Sequence, residues 1–311
     1  MMDLSVVIPV YGAAKILPSL ADRLLAVLND MHIEYELIFV NDDSPDEAWD
    51  VLRNLQEKHE TRVRIIRLTK NFGQHSATMC GLRRASGSFV LTMDDDLQHP
   101  PEQIPVLWNA IQVQNLDVVY GKYQEKMHGN MRNIGSKLLS LVFRRVFGVP
   151  VGFSSFRIIR SEVLKGMQHY PHVFVFIDGI LAGITSRIGC VAVPHHARAQ
   201  GRSGYRMGKL LFLSVNVLTS FSLFPLQVAT WMGFASSFVG AVLGLWIVYQ
   251  ALAGNVTVPG YASLFTAVLF MGGVQLLALG VIGEYLGRVY QSLNRDLPYV
   301  ERESQGFETR Q

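Results

Sequence analysis

Between residues 4 and 121, short apolar runs alternate with longer stretches in which apolar positions recur every three or four residues. The runs 4–10 (LSVVIPV), 35–40 (YELIFV), 62–68 (RVRIIRL), 88–93 (SFVLTM) and 116–121 (LDVVYG) are rich in Val, Ile and aromatic residues and end at turn-forming residues, so they predict strands. The stretches 15–30, 46–59, 73–85 and 101–114 have helical spacing, and Pro100-Pro101-Glu102 marks a helix start. A strand–helix alternation of this kind predicts βαβ units and hence an α/β fold around a mainly parallel, doubly wound sheet. Such sheets bind ligands beyond the carboxyl ends of their strands, which fixes where chemistry is to be sought.

The pattern then changes abruptly. From Leu210 to Gly283 there are 74 consecutive residues without Asp, Glu, Lys, Arg or His. Residues 225–252 and 262–287 are each long enough to cross a hydrocarbon core, which takes about 20 helical residues. The segment 253–261 (AGNVTVPGY) between them reads as a turn, so the two spans predict a helical hairpin with both flanks on one side. Arg198, Arg202, Arg206 and Lys209 precede it and Arg288, Arg295 and Arg302 follow it, whereas the turn carries no Lys or Arg. This asymmetry predicts that both flanks are cytoplasmic and the turn extracytoplasmic. Residues 206–224 read as an amphipathic interfacial segment or, alternatively, as the start of a long tilted first span kinked at Pro225. The predicted organisation is a domain over 1–205, this segment, the hairpin, and a polar tail over 288–311. Gly240 to Gly244 and Gly283 to Gly287 have GxxxG spacing, which serves packing within the hairpin or a homo-oligomer equally well.

Composition sharpens this division. Charged residues make up 17% of the 311, below the roughly 25% of an ordinary soluble domain, and the deficit lies in the apolar stretch. A purely soluble enzyme and a disordered scaffold are thereby excluded. The net charge of +3 and the absence of a basic block exclude nucleic acid as a partner. Cys80 and Cys190 lack metal-binding spacing and read as two buried, reduced thiols. Residues 1–10 have no basic leader region and read as a strand, so the first domain is expected to stay in the cytoplasm.

The candidate chemistry sits at strand ends. The first strand closes on Pro9-Val10-Tyr11, the second on Asn41-Asp42-Asp43-Ser44 and the fourth on Asp94-Asp95-Asp96-Leu97-Gln98. Three adjacent carboxylates repel one another and call for a counter-charge. In extended backbone Asp94 and Asp96 project to one side, and with the Gln98 amide oxygen they form a hard oxygen set suited to Mg²⁺ or Mn²⁺ and a diphosphate. A solvated acidic turn capping the helix at Pro100 is the competing reading; the neighbouring Asp42 cluster weighs against it. His195-His196 would point to opposite faces of a strand and so does not read as a shared metal site. His75 reads equally as a cap, a packing residue or a donor contact.

MDDDLQHPPE resembles the DxDLQxPPE signature of the family 2 glycosyltransferases, and SVVIPVYG and FVNDDSPD resemble that family's first two strand motifs. NFGQHSA, GFSSFRIIR, RAQGRSGY, SFSLFPL and GVIGEYLGRVY are similar to the polyisoprenyl-phosphate branch, which includes bactoprenol glucosyltransferase, undecaprenyl-phosphate formamido-arabinose transferase and dolichyl-phosphate mannose synthase. The resemblance implies an A-type, Rossmann-like glycosyltransferase domain followed by an interfacial helix and two transmembrane helices. It also implies inverting, metal-dependent transfer of a hexose-type sugar from a nucleotide sugar, a UDP-sugar, to undecaprenyl phosphate at the inner membrane, for modification of cell-envelope glycans. Pro9, Tyr11 and Asp42 would then line the nucleotide, and Asp94, Asp96 and Gln98 would hold metal and diphosphate. Arg132 and Ser136 would contact the lipid phosphate with Lys126, and Arg198 and Ser203 would belong to a loop closing over both substrates. By the same resemblance Asp94, Asp96 and Arg132 would carry the catalytic roles. The chain departs from the family pattern at Gly12-Ala13, Asp43, Tyr123, Ser155 and Gly204. Ala13, Tyr123 and Gly204 motivate a rival reading as a pseudoenzyme membrane scaffold, and a processive polysaccharide synthase is a second rival. The latter usually carries a QxxRW motif and more spans, and none of the four tryptophans lies in that setting.

Overall fold

The computed structural model describes residues 2–123, 154–167, 176–194, 224–253, 260–293 and 298–307. The chain divides into two compact units: Met1–Ser203 together with Leu297–Gln311, and Gly204–Asp296.

The first unit is built on an eight-stranded sheet. Its strands are β1 (Leu4–Val10), β2 (Tyr35–Asn41), β3 (Val63–Leu68), β4 (Phe89–Thr92), β5 (Val118–Tyr123), β6 (Arg157–Arg160), β7 (Ile188–Val193) and β8 (Glu301–Gln305). They lie in the order β7-β5-β6-β4-β1-β2-β3-β8. β1 pairs parallel with β2 and β4, β2 with β3, and β5 with β7; β6 and β8 run antiparallel to their neighbours. The sheet is therefore mixed and mostly parallel, as the βαβ pattern predicts. Every residue of β1 and β2 is buried, which explains their near-continuous apolar sequences: both faces are covered.

The described helices of this unit are α1 (Leu17–Asp30), α2 (Ala48–Lys58), α3 (Gln74–Arg84), α4 (Ile104–Val113), α5 (Ser161–Met167) and α6 (Ile177–Ile184). A 3₁₀ turn over Pro101–Gln103 precedes α4, because Pro105 has no N–H with which to continue an α-helical ladder back to Pro101. α3 lies hard against the sheet: a Cβ at Gly81 would stand 2.3 Å from Val7 Cγ1. This close approach fixes where the start of α3 falls relative to the ends of β1 and β2.

Three strands depart from the expectation. β6 and β7 fall outside the predicted set, and β8 forms within the segment read as a polar tail. β8 adds antiparallel to the edge of β3, placing Glu303 opposite Arg67, while Glu301 forms an ion pair with Arg84. Its sequence, ERESQ, has no apolar run; the complementary charges of its neighbours supply what hydrophobic alternation lacks. Cys80 and Cys190 are both free, as expected, but only Cys80 is buried; Cys190 is exposed on β7.

The second unit contains α7 (Phe224–Leu252) and α8 (Tyr261–Leu293), two helices long and apolar enough to cross a membrane. Their large side chains face outward, with Trp231 and Phe238 each 72% exposed, so neither is a core helix of a soluble domain. Ser236 Oγ meets Met271 Sδ at 3.1 Å where the two helices touch. Among the described residues, a Cβ at Gly240, Gly244, Gly283 or Gly287 would meet no atom within 4 Å.

Candidate active site

The strand order reverses around β1, which lies between β4 and β2, and the crevice beyond their carboxyl ends is where a doubly wound sheet binds ligands. An open cleft of about 260 Å³ occupies that position. Pro9, Val10 and Tyr11 from the end of β1, Asp42 from β2 and Asp94, Asp95 and Asp96 beyond β4 line it. Asn71, Gly73 and Gln74 complete the wall from the loop that leads into α3. The structure thus brings together the predicted Pro9, Tyr11, Asp42, Asp94 and Asp96. Gln98 joins them through Asp96, donating from Nε2 to Oδ2 at 2.7 Å. Lys126, Arg132, Ser136, Arg198 and Ser203 lie outside the described residues.

The three aspartates are arranged differently from a strand. β4 ends at Thr92, and Asp95 and Asp96 sit in a turn that continues to Leu97, whose φ is 58°. Asp94 and Asp96 therefore do not share a strand face, and each of the three carboxylates takes its own partners. Asp94 accepts the Gln74 side-chain amide on Oδ1 and the Ser155 hydroxyl on Oδ2, the latter at 2.6 Å. Asp95 accepts the backbone N–H of Tyr11 at 3.0 Å. Asp96 accepts both the backbone N–H and the side-chain amide of Gln98.

The electrostatic consequence is a strongly acidic cleft. Burial, reinforced by Asp94 and Asp96 and opposed by the Tyr11 N–H, pushes the Asp95 carboxyl up to about 7. Burial also lifts Asp42 above the usual carboxylate range, against the pull of the Phe72 and Gly73 N–H groups. Crowded oxygen donors of this kind suit a hard divalent cation, which Mg²⁺-type sites bind through one or two carboxylates and substrate phosphates. Among the described residues no group of three or more His, Cys, Asp or Glu side chains is placed to hold a metal ion by itself. A cation here would need oxygen donors from a bound phosphate besides these carboxylates.

Several cleft residues carried no role in the sequence reading. Gln74 and Gly73 lie in the NFGQHSA segment, and Gly73 has a φ of 88°, open to glycine at little cost; this lets the chain turn sharply into α3. Ser155, in sequence only a departure from the family pattern, donates its hydroxyl to Asp94. His75 packs its ring edge-on to Phe176, with centroids 5.6 Å apart, and burial holds its imidazole below the ordinary range. It is therefore a packing residue beside the cleft.

Residues 5–167 match the family model described as glycosyl transferase family 2, and residues 224–289 match the GtrB C-terminal hairpin. The chain is 34% identical to an uncharacterized glycosyltransferase of Synechocystis sp., over 99% of this chain and 97% of that one. It is 31% identical to an undecaprenyl-phosphate 4-deoxy-4-formamido-L-arabinose transferase of Edwardsiella ictaluri, covering 93% and 90% of the two chains. It is 30% identical to a prophage-derived bactoprenol glucosyl transferase of Shigella flexneri, covering 97% and 98%. The fold resembles that of glucosyl-3-phosphoglycerate synthase from Mycobacterium tuberculosis, with a TM-score of 0.52 at 20% identity over 71% of this chain and 79% of that one. The acidic cleft at the switch point and these matches agree: the chain belongs to the family 2 glycosyltransferases and is a glycosyltransferase with a GtrB-type C-terminal hairpin.

Proposed function

We propose that this enzyme transfers a hexose-type sugar from a nucleoside diphosphate sugar, a UDP-sugar, to a polyisoprenyl phosphate, undecaprenyl phosphate, with inversion at the anomeric carbon. The observation that carries this reading is the presence on one chain of an acidic switch-point cleft and two outward-facing apolar helices. A water-soluble donor fits the first, and a lipid acceptor explains the second. The names of the Edwardsiella and Shigella relatives, which specify undecaprenyl phosphate and bactoprenol, support the acceptor class.

In this reading Pro9, Tyr11 and Asp42 receive the nucleotide, and Asp94, Asp96 and Gln98 hold Mg²⁺ or Mn²⁺ against the diphosphate. The bound cation would supply Lewis-acid stabilisation of the charge on the departing nucleoside diphosphate. Tyr11 is 55% exposed at the cleft mouth, where a ring is available to stack on a base. A phosphate monoester is already an oxyanion at neutral pH, so the acceptor needs no general base. A serine at position 155, rather than a carboxylate, is compatible with that chemistry. The acceptor phosphate is assigned to Lys126, Arg132, Ser136, Arg198 and Ser203, whose charge and hydroxyl donors suit it.

The positive flanks of the hairpin favour a cytoplasmic catalytic unit and a multi-pass protein of the inner membrane. A product made there would be a lipid-linked sugar for modification of the cell envelope. Two spans argue against a processive synthase, which needs a channel. The test is nucleoside diphosphate release from a panel of nucleotide sugars in the presence and absence of undecaprenyl phosphate. Release that requires the lipid supports the assignment; release that ignores it, or none with any donor, removes it.

A further inference from the structure

Two of the donors to Asp94 come from separate elements, α3 and the residues that lead into β6, and neither is adjacent to it in sequence. Gln74 is the first residue of α3 and reaches Asp94 Oδ1 from the β2–β1 side. Ser155 reaches Oδ2 from the bend that leads into β6. Its placement follows from register. β6 pairs antiparallel with β4 through Phe89↔Arg160, Val90↔Ile159, Leu91↔Ile158 and Thr92↔Arg157. Continued two residues beyond the end of β4, the same register sets residue 155 opposite residue 94.

That continuation is held by a buried polar chain. Thr92 Oγ1 donates to the Ser155 carbonyl at 2.5 Å, and Arg157 Nε donates to Thr92 Oγ1 at 3.1 Å. Arg157 is 2% exposed and forms an ion pair with Asp178, which also accepts the Tyr120 hydroxyl at 3.0 Å. The backbone that carries Ser155 is thereby fixed to the interior of the unit, so its hydroxyl meets Asp94 at a set position.

We propose that Ser155 and Gln74 are positioning residues for Asp94: one donor on each carboxylate oxygen fixes the orientation in which Asp94 meets the cation–diphosphate group. The inference rests on reading the cleft as the nucleotide-sugar site. The clamp is neutral, so it orients the carboxylate without adding to the negative charge of the three aspartates. Its effect is on cation-dependent binding; nucleotide contacts that need no cation do not pass through Asp94.

The test uses the full-length protein in lipid nanodiscs, with UDP and GDP titrated separately in Mn²⁺ and in EDTA, and the thermal midpoint measured in parallel. For whichever nucleotide the wild type binds in Mn²⁺, Ser155→Ala and Gln74→Ala each weaken that binding about tenfold, the scale of one hydrogen bond to a charged group. Ser155 does not line the cleft, so for Ser155→Ala binding in EDTA stays unchanged, and Ser155→Thr, which keeps the hydroxyl, retains wild-type affinity in Mn²⁺. Equal loss in Mn²⁺ and EDTA for Ser155→Ala, or unchanged binding in both alanine variants, overturns the positioning role and leaves the proposed function intact. A folded wild type that binds neither nucleotide in Mn²⁺ overturns the reading of the cleft and this inference with it.

Discussion

Asp42 Oδ2 accepts the backbone N–H of Gly73 at 2.8 Å, while its Oδ1 accepts that of Phe72 at 2.7 Å. One carboxylate at the end of β2 thus binds the turn that starts α3 and carries Gln74 into the cleft. Asp42 is 3% exposed; removing it takes the acceptor from the Phe72 N–H and leaves the Gly73 N–H only its second, longer bond to Asn71 Oδ1 at 3.1 Å. Asp42→Ala is expected to cost about 1–3 kcal/mol of unfolding free energy. Asp42→Asn should not restore it, because an amide offers one acceptor where two are used. A denaturant titration showing wild-type stability for the asparagine variant would contradict this role.

The Arg157–Asp178 pair is a buried ion pair whose members come from β6 and α6. Arg157→Leu leaves a buried carboxylate with the Tyr120 hydroxyl but without its cation, and is expected to destabilise the protein by about 3–5 kcal/mol. Arg157→Leu combined with Asp178→Leu should cost less than the single change, since no uncompensated charge remains. Chemical denaturation of the three proteins checks the order; a double variant less stable than the single one contradicts it.

The fit of α3 on the sheet gives a packing prediction. Gly81→Ala places a methyl group on Val7, whose Cγ1 is only 2.3 Å from the new atom. A loss of about 1–3 kcal/mol is expected, typical of overpacking. Val7→Ala in the same chain should recover part of it. If the thermal midpoints of the single and double variants coincide, the contact is not what limits position 81.

At the other end of α3, β8 covers Cys80. The thiol lies 3.5 Å from Glu301 Oε1, and burial, then the Glu301 charge, push its ionisation well above the usual thiol range. In a Cys190→Ser background Cys80 should react slowly with a thiol reagent at neutral pH. Deletion of residues 298–311 uncovers it and also leaves the β3 edge unpaired, so both labelling and aggregation should increase. Identical labelling rates would show that β8 does not shield this position.

Much of this architecture was legible because it obeys local rules. β1 and β2 are buried on both faces, and their apolar runs announce them to within a residue of their observed ends. The acidic clusters were recognisable as strand-end features because βαβ topology places strand ends together. β8 was not legible: ERESQ becomes a strand only beside Arg67 and Arg84, residues more than two hundred positions away. The roles of Gln74 and Ser155 were hidden for the same reason. One depends on a positive φ at Gly73, the other on the register of β6 against β4, and neither is encoded in the residues next to Asp94. Asp94 and Asp96 were expected in extended backbone just past a strand over 88–93; the strand ends at Thr92, and the turn that follows gives each carboxylate separate partners.

The most direct measurement of the central claim is the mass of the lipid product. Purified full-length protein is incubated with undecaprenyl phosphate, Mg²⁺ or Mn²⁺ and a panel of nucleotide sugars, alongside Asp94→Asn and an EDTA control. The account predicts a lipid whose mass rises by one hexose-type unit with one donor, and no such lipid from the variant or in EDTA. A folded wild-type protein that yields no glycolipid from any donor, or one that yields it equally in EDTA, would contradict the account.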